Sequence, residues 1–111
     1  MIFDEAFYRK MATQKWRQQD YKKAAEYYEK VLELSPKDFD IQQHYAQCLV
    51  KLNIGKKAER LFYENIVKDF HVAESFYELS QLNIELNEPN KAFLFGINYV
   101  ILSEDKDFRE M

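Results

Sequence analysis

The dipeptide Lys-Ala occurs three times in the chain, at Lys23-Ala24, Lys57-Ala58 and Lys91-Ala92, and both intervals are 34 residues. A fixed period of this length means one supersecondary unit used three times, and it limits the fold more tightly than any single segment can. Four residues before each Lys stands an amide side chain: Gln19, Asn53 and Asn87. Each amide closes one helical pattern and each Lys-Ala lies just inside the next. Asp20-Tyr21, Ile54-Gly55 and Glu88-Pro89 occupy the turns between them. Gly55 and Pro89 are turn punctuators, and Pro89 suits the first position of a helix.

Cutting the chain at this period gives three units, 5–38, 39–72 and 73–106. Each reads as two helices, predicted at 4–18 and 21–34, 38–52 and 55–69, and 73–87 and 89–103. The second helix of the first unit shows the basis of the reading. Ala24, Ala25, Tyr28, Val31 and Leu32 form an apolar stripe of helical period, with Lys22, Glu26, Glu29, Lys30 and Glu33 between them. Pro36 stops that helix, because proline cannot continue the hydrogen-bond ladder. Small residues recur where paired helices must approach: Ala12, Ala46 and Ser80 at one position of the period, Ala24, Ala58 and Ala92 at another. With only two Gly and two Pro in 111 residues, the chain lacks the turn formers of a β-rich fold.

These residues resemble the tetratricopeptide repeat, a helix-turn-helix unit of about 34 residues. The first unit carries Tyr8, Met11-Ala12, Asp20-Tyr21, Ala24, Tyr28, Val31 and Pro36. The second keeps Tyr45-Ala46, Leu49, Ala58 and Phe62, with Phe70 where the family has Pro. The third keeps Phe76, Leu79-Ser80 and Ala92, but has Gly96 at a position of large aromatics and Glu104 at the Pro position. The resemblance implies an all-α fold: a right-handed α-α superhelix, or solenoid, of three hairpins forming a single domain over 1–111. Another helical array of similar period, or a plain six-helix bundle, is the alternative.

The resemblance also implies the binding of a protein or peptide along the concave face formed by the first helix of each hairpin. The period maps Arg9, Thr13, Trp16 and Arg17 to that face from the first unit. Gln43, His44, Gln47, Val50 and Lys51 come from the second, and Glu74, Tyr77, Glu78, Gln81, Ile84 and Glu85 from the third. The surface is basic toward the first two units and acidic on the third, so a segment with one acidic and one basic end complements it. Family members that clamp the C-terminal carboxylate of heat-shock proteins do so with Lys, Asn, Asn, Lys and Arg. The matching positions here are Arg9, Thr13, His44, Glu74 and Glu78. Glu74 and Glu78 repel a carboxylate, so no chaperone-tail binding is expected.

The last helix differs from the others. Ala92 to Leu102 is apolar on every side, which calls for burial on every side. Phe93, Leu94, Ile97 and Ile101 are therefore candidate interface residues, for a homodimer or for a further repeat in a longer protein. Ser103–Asp107 followed by Phe108 reads as a turn into another helix. A structural solenoid segment or self-association module with this helix as its interface is the second functional reading.

Other chemistry finds little support. His44 and Cys48 stand at i, i+4, a two-ligand spacing without a third ligand, and His71 falls in a turn. The two glycines are 41 positions apart and make no phosphate loop. No metal, cofactor or catalytic group is expected, and the chain reads as a non-enzyme. A net charge of −3 argues against nucleic acid. No run approaches the ~18 apolar residues of a membrane span, and the acidic start Met1-Ile2-Phe3-Asp4-Glu5 is not a signal peptide. The single Cys48 fits a reducing, cytoplasmic setting.

Overall fold

The computed structural model describes residues 4–110, with side chains through Ser103; Met1–Phe3, part of the start read above as lacking a targeting signal, lie outside the described residues. Six helices follow in order: α1 (Glu5–Arg17), α2 (Tyr21–Leu34), α3 (Phe39–Lys51), α4 (Gly55–Val67), α5 (Val72–Glu85) and α6 (Pro89–Glu110). Among the described residues there is no strand. The helices divide at the predicted places, within two residues at each end except for the last.

The described residues fall into two compact units, one ending at Leu61 and the other starting at Phe62, so the boundary lies inside α4. In the first unit α1 packs on α2 and α2 on α3. Gln42 of α3 reaches α4, donating from Nε2 to the Leu61 carbonyl at 3.4 Å. Its core holds Ala12, Ala24, Val31, Ala46 and Cys48, all fully buried, so the small residues sit where the helices meet. In the second unit α5 packs on α6. There Ser80 Oγ donates to the Ala92 carbonyl at 3.0 Å. The two recurring small positions thus touch directly.

The turn chemistry explains the helix ends. Gln19, Asn53 and Asn87 all have left-handed backbone, with φ of 61°, 63° and 59°. At each, the next residue's N–H reaches back to a carbonyl five residues earlier: Asp20 to Lys15 (2.9 Å), Ile54 to Leu49 (2.8 Å) and Glu88 to Asn83 (2.7 Å). This is the Schellman arrangement, which satisfies carbonyls left over at a helix end. The amide, not Gly55, takes the positive φ; Gly55 is the first residue of α4. Asp69 (φ 62°) closes α4 in the same way, and its Phe70 N–H reaches Asn65 O at 2.9 Å. At the starts, Asp4, Asp20 and Asp38 cap α1, α2 and α3 by accepting the N–H groups of Phe7, Lys23 and Ile41.

One element departs from expectation. The turn predicted at Ser103–Asp107, and the new helix expected at Phe108, do not form: α6 runs unbroken to Glu110. The charged stretch contains neither Gly nor Pro, so nothing in it stops the ladder.

Candidate partner-binding surfaces

On α1, the side chains of Arg9, Lys10, Thr13, Gln14, Arg17 and Gln18 line an open depression of about 660 Å³. Three of the four residues that the period assigned to this face, Arg9, Thr13 and Arg17, are therefore brought together. Arg9 is already engaged. Its guanidinium bonds Glu5 Oε1 (2.6 Å from Nη2, 3.0 Å from Nε) and also the Asp38 carboxylate. Ser35 Oγ donates to the other Glu5 oxygen at 2.8 Å. Sequence spacing shows Glu5 and Arg9 as neighbours on a helix but gives no sign of Asp38, which lies 29 residues away. The hydrogen bonds from Arg9 and Ser35 hold the Glu5 carboxyl below its ordinary value. Burial pushes Asp38 upward, but hydrogen bonds from Arg9 and from the Ile41 N–H outweigh it, and the net direction is down.

Trp16, the fourth residue, is not part of the depression. It is half-buried and meets the Tyr21 ring edge-on, with centroids 5.2 Å apart, at the α1–α2 turn. Arg17 and Lys51 are exposed cations that enter no ion pair among the described residues.

On α3 the predicted residues separate. Gln43 is 3% exposed and belongs to the interior, contrary to its assignment to an open face. The reason is that α3 is packed over a broad arc, with Ile41, Gln42, Tyr45, Ala46, Cys48 and Leu49 also buried. His44 is exposed and stacks on Tyr28, with centroids 6.0 Å apart. Gln47 and Val50 are half-buried and Lys51 is exposed.

Buried Tyr45 is tied to two exposed charged residues, an arrangement that the pattern did not reveal. Tyr45 Oη donates to Glu29 Oε1 at 2.6 Å and accepts from Lys57 Nζ at 2.9 Å. In the sequence Tyr45 figures only as a match to the repeat pattern. The signal in the sequence is chemical rather than periodic, since a buried Tyr hydroxyl needs a partner. Burial, and then Glu29, raise its pKa.

On α5, Tyr77, Gln81, Ile84 and Glu85 are exposed, as is Glu74 at the helix start; Glu78 is half-buried. Tyr77 packs against Tyr99 of α6, centroids 5.3 Å apart. The acidic character expected of this helix is therefore displayed at Glu74 and Glu85.

A second cleft, of about 610 Å³, lies on α5 and α6. Phe93, Ile97 and Ile101 line it with Ile84, Gly96 and Val100, and none of its lining residues is charged. Leu94, the fourth candidate interface residue, is 59% exposed and stands outside the lining. Gly96 stands against α5: a Cβ there would lie 3.3 Å from Ser80 Oγ. The residue that departs from the family pattern is thus one that close helix approach requires.

The pair with a two-ligand spacing is not arranged for chemistry. Burial pushes the Cys48 thiol up to about 12, so it is not a thiolate near neutral pH, and His44 is stacked on a tyrosine. Among the described residues no three His, Cys, Asp or Glu side chains converge as a metal would need, and no helix is long and apolar enough to cross a membrane.

An array of antiparallel helix pairs, small residues at the crossings and one turn geometry repeated along the chain define a helical-hairpin solenoid protein. The comparisons agree. Residues 15–62 match the tetratricopeptide repeat family. The crystal structure of MamA protein has a similar fold, with a TM-score of 0.77 at 20% identity, covering 92% of this chain and 56% of that one. The chain thus spans a little over half the length of that structure. No curated protein matches it in sequence. Residues 15–62 thus match the tetratricopeptide repeat, and the chain shares the helical fold of that structure.

Proposed function

We propose that the three hairpins, 5–38, 39–72 and 73–106, act as one domain that holds an extended or helical segment of a partner protein along the first helices α1, α3 and α5. The observation that carries this reading is the depression on α1, where Arg9, Thr13 and Arg17 converge. Tetratricopeptide repeats in general support a role as a protein-interaction scaffold. Arg17 and Lys51 supply exposed positive charge on α1 and α3, and Glu74 and Glu85 supply negative charge on α5. Arg9, tied to Glu5 and Asp38, shapes this surface more than it attracts a ligand. The partner segment is therefore acidic toward one end and basic toward the other. The net charge of −3 favours a protein over a nucleic-acid partner. A lone buried cysteine suits a reducing, cytoplasmic location.

The test is binding of peptides selected from a display library, measured by fluorescence anisotropy. Selected peptides are expected to share the two-ended charge pattern, and Arg17→Glu with Lys51→Glu is expected to weaken them about tenfold or more, with strong salt dependence. Peptides that bind the double variant as tightly as the natural chain would refute the assignment. Heat-shock C-terminal tails are expected to show no micromolar affinity.

A further inference from the structure

Helix α6 is apolar on two sides, and its own unit covers one of them. On the covered side Ala92 accepts the Ser80 hydrogen bond, Phe95 packs against Phe76 (6.2 Å) and Tyr63 (5.8 Å), and Tyr99 meets Tyr77. The other side carries Phe93, Leu94, Ile97, Val100 and Ile101, which are 40–67% exposed. At the helical period these five fall within a stripe about 120° wide, the width of a face that normally meets a core. Ile84 of α5, 60% exposed, borders it.

The first hairpin shows what such a face takes. Helix α2 precedes α6 by two periods, and α3 packs on it with Ile41, Tyr45, Cys48 and Leu49 buried. In a second copy of the chain, α1 cannot serve in that way. Gln14 and Lys15 of α1 occupy the places of Cys48 and Leu49, so stacking copies head to tail would bury an amide and an ammonium against apolar side chains.

The α6 stripe is instead complementary to itself when reversed. In an antiparallel register centred on Ile97, Phe93 of one copy lies level with Ile101 of the other, and Leu94 with Val100. Residues 92–102 carry no charge, so no charge enters the contact. Lys91 comes level with Ser103, where the sequence turns acidic with Glu104 and Asp105; a parallel arrangement would set like charges together. The exposed stripe and Ile84 amount to on the order of 500 Å² per copy, hence about 1,000 Å² for a pair, the area at which specific interfaces begin.

We propose that α6 is a homodimer interface in which two copies pack antiparallel about a two-fold axis at Ile97, each receiving apolar side chains of the other in the cleft beside Gly96. Such an isologous contact closes on itself and yields a dimer rather than a filament. It shares Ile84 of α5 with the surface proposed on α1, α3 and α5 but none of that surface's charged residues.

Sedimentation velocity and single-cysteine crosslinking test it on the full chain. The natural chain is expected to sediment as a dimer and Ile97→Lys as a monomer with unchanged helical circular dichroism, because position 97 is already 40% exposed in the single copy. Under mild oxidation Ile97→Cys is expected to crosslink with itself. Phe93→Cys is expected to crosslink only when mixed with Ile101→Cys. Cys48 is fully buried and does not interfere. A monomer at every concentration, a dimer that survives Ile97→Lys, or self-crosslinking of Phe93→Cys as efficient as that of Ile97→Cys would each overturn the proposal.

Discussion

Gln19, Asn53 and Asn87 close their helices in the left-handed region, which costs a residue with a Cβ about 1–2 kcal/mol. Asn tolerates that region better than Gln, so Gln19 bears the largest strain. Gln19→Gly is expected to stabilise the chain by about 0.5–1 kcal/mol, a rise of a few degrees in Tm by calorimetry. These amides were legible in the sequence because they recur with the period. The Arg9 network was not, because Asp38 meets Arg9, and Ser35 meets Glu5, only after α1 and α2 have paired. Glu5 and Asp38 both titrate below their ordinary values. A depressed carboxylate contributes stability that is complete above its unfolded pKa and is lost as pH falls through the folded value. Asp38→Asn can still cap α3, so it isolates the ion pair. It is expected to melt a few degrees below the natural chain at pH 7, reflecting about 0.5–1 kcal/mol, with the gap narrowing as pH drops below 3.8.

At the scale of elements, the Gly96–Ser80 contact sets how closely α5 and α6 pack. Gly96→Phe, which introduces the side-chain type usual at this position of the repeat, is expected to destabilise by about 1–3 kcal/mol, read as a lower urea midpoint. An unchanged or higher midpoint would show that α5 and α6 do not need this approach. Six helices and their turns could be placed from period, caps and breakers, since these are local properties. The end of α6 could not, because a charged run reads equally as a solvated helix face or as a turn. The α3 face was misjudged at Gln43 for a related reason. A repeat assigns a residue to a side of its helix, but how much of that side is covered depends on the neighbours that pack there.

For the whole molecule, the sequence spoke clearly about architecture and only in outline about function. Repeats announce themselves through packing residues, which must recur; binding residues face solvent and vary without disturbing the fold. Hence Arg9, Thr13 and Arg17, grouped by period, line one depression on α1, whereas Trp16 packs on Tyr21. The central claim is that a partner segment lies along α1, α3 and α5. Amide chemical-shift mapping by NMR with a display-selected peptide tests it most directly. Shifts concentrated at Thr13, Arg17, Gln47, Lys51, Gln81 and Glu85 are the predicted result; shifts confined to α2 and α4, with these residues unmoved, would contradict it.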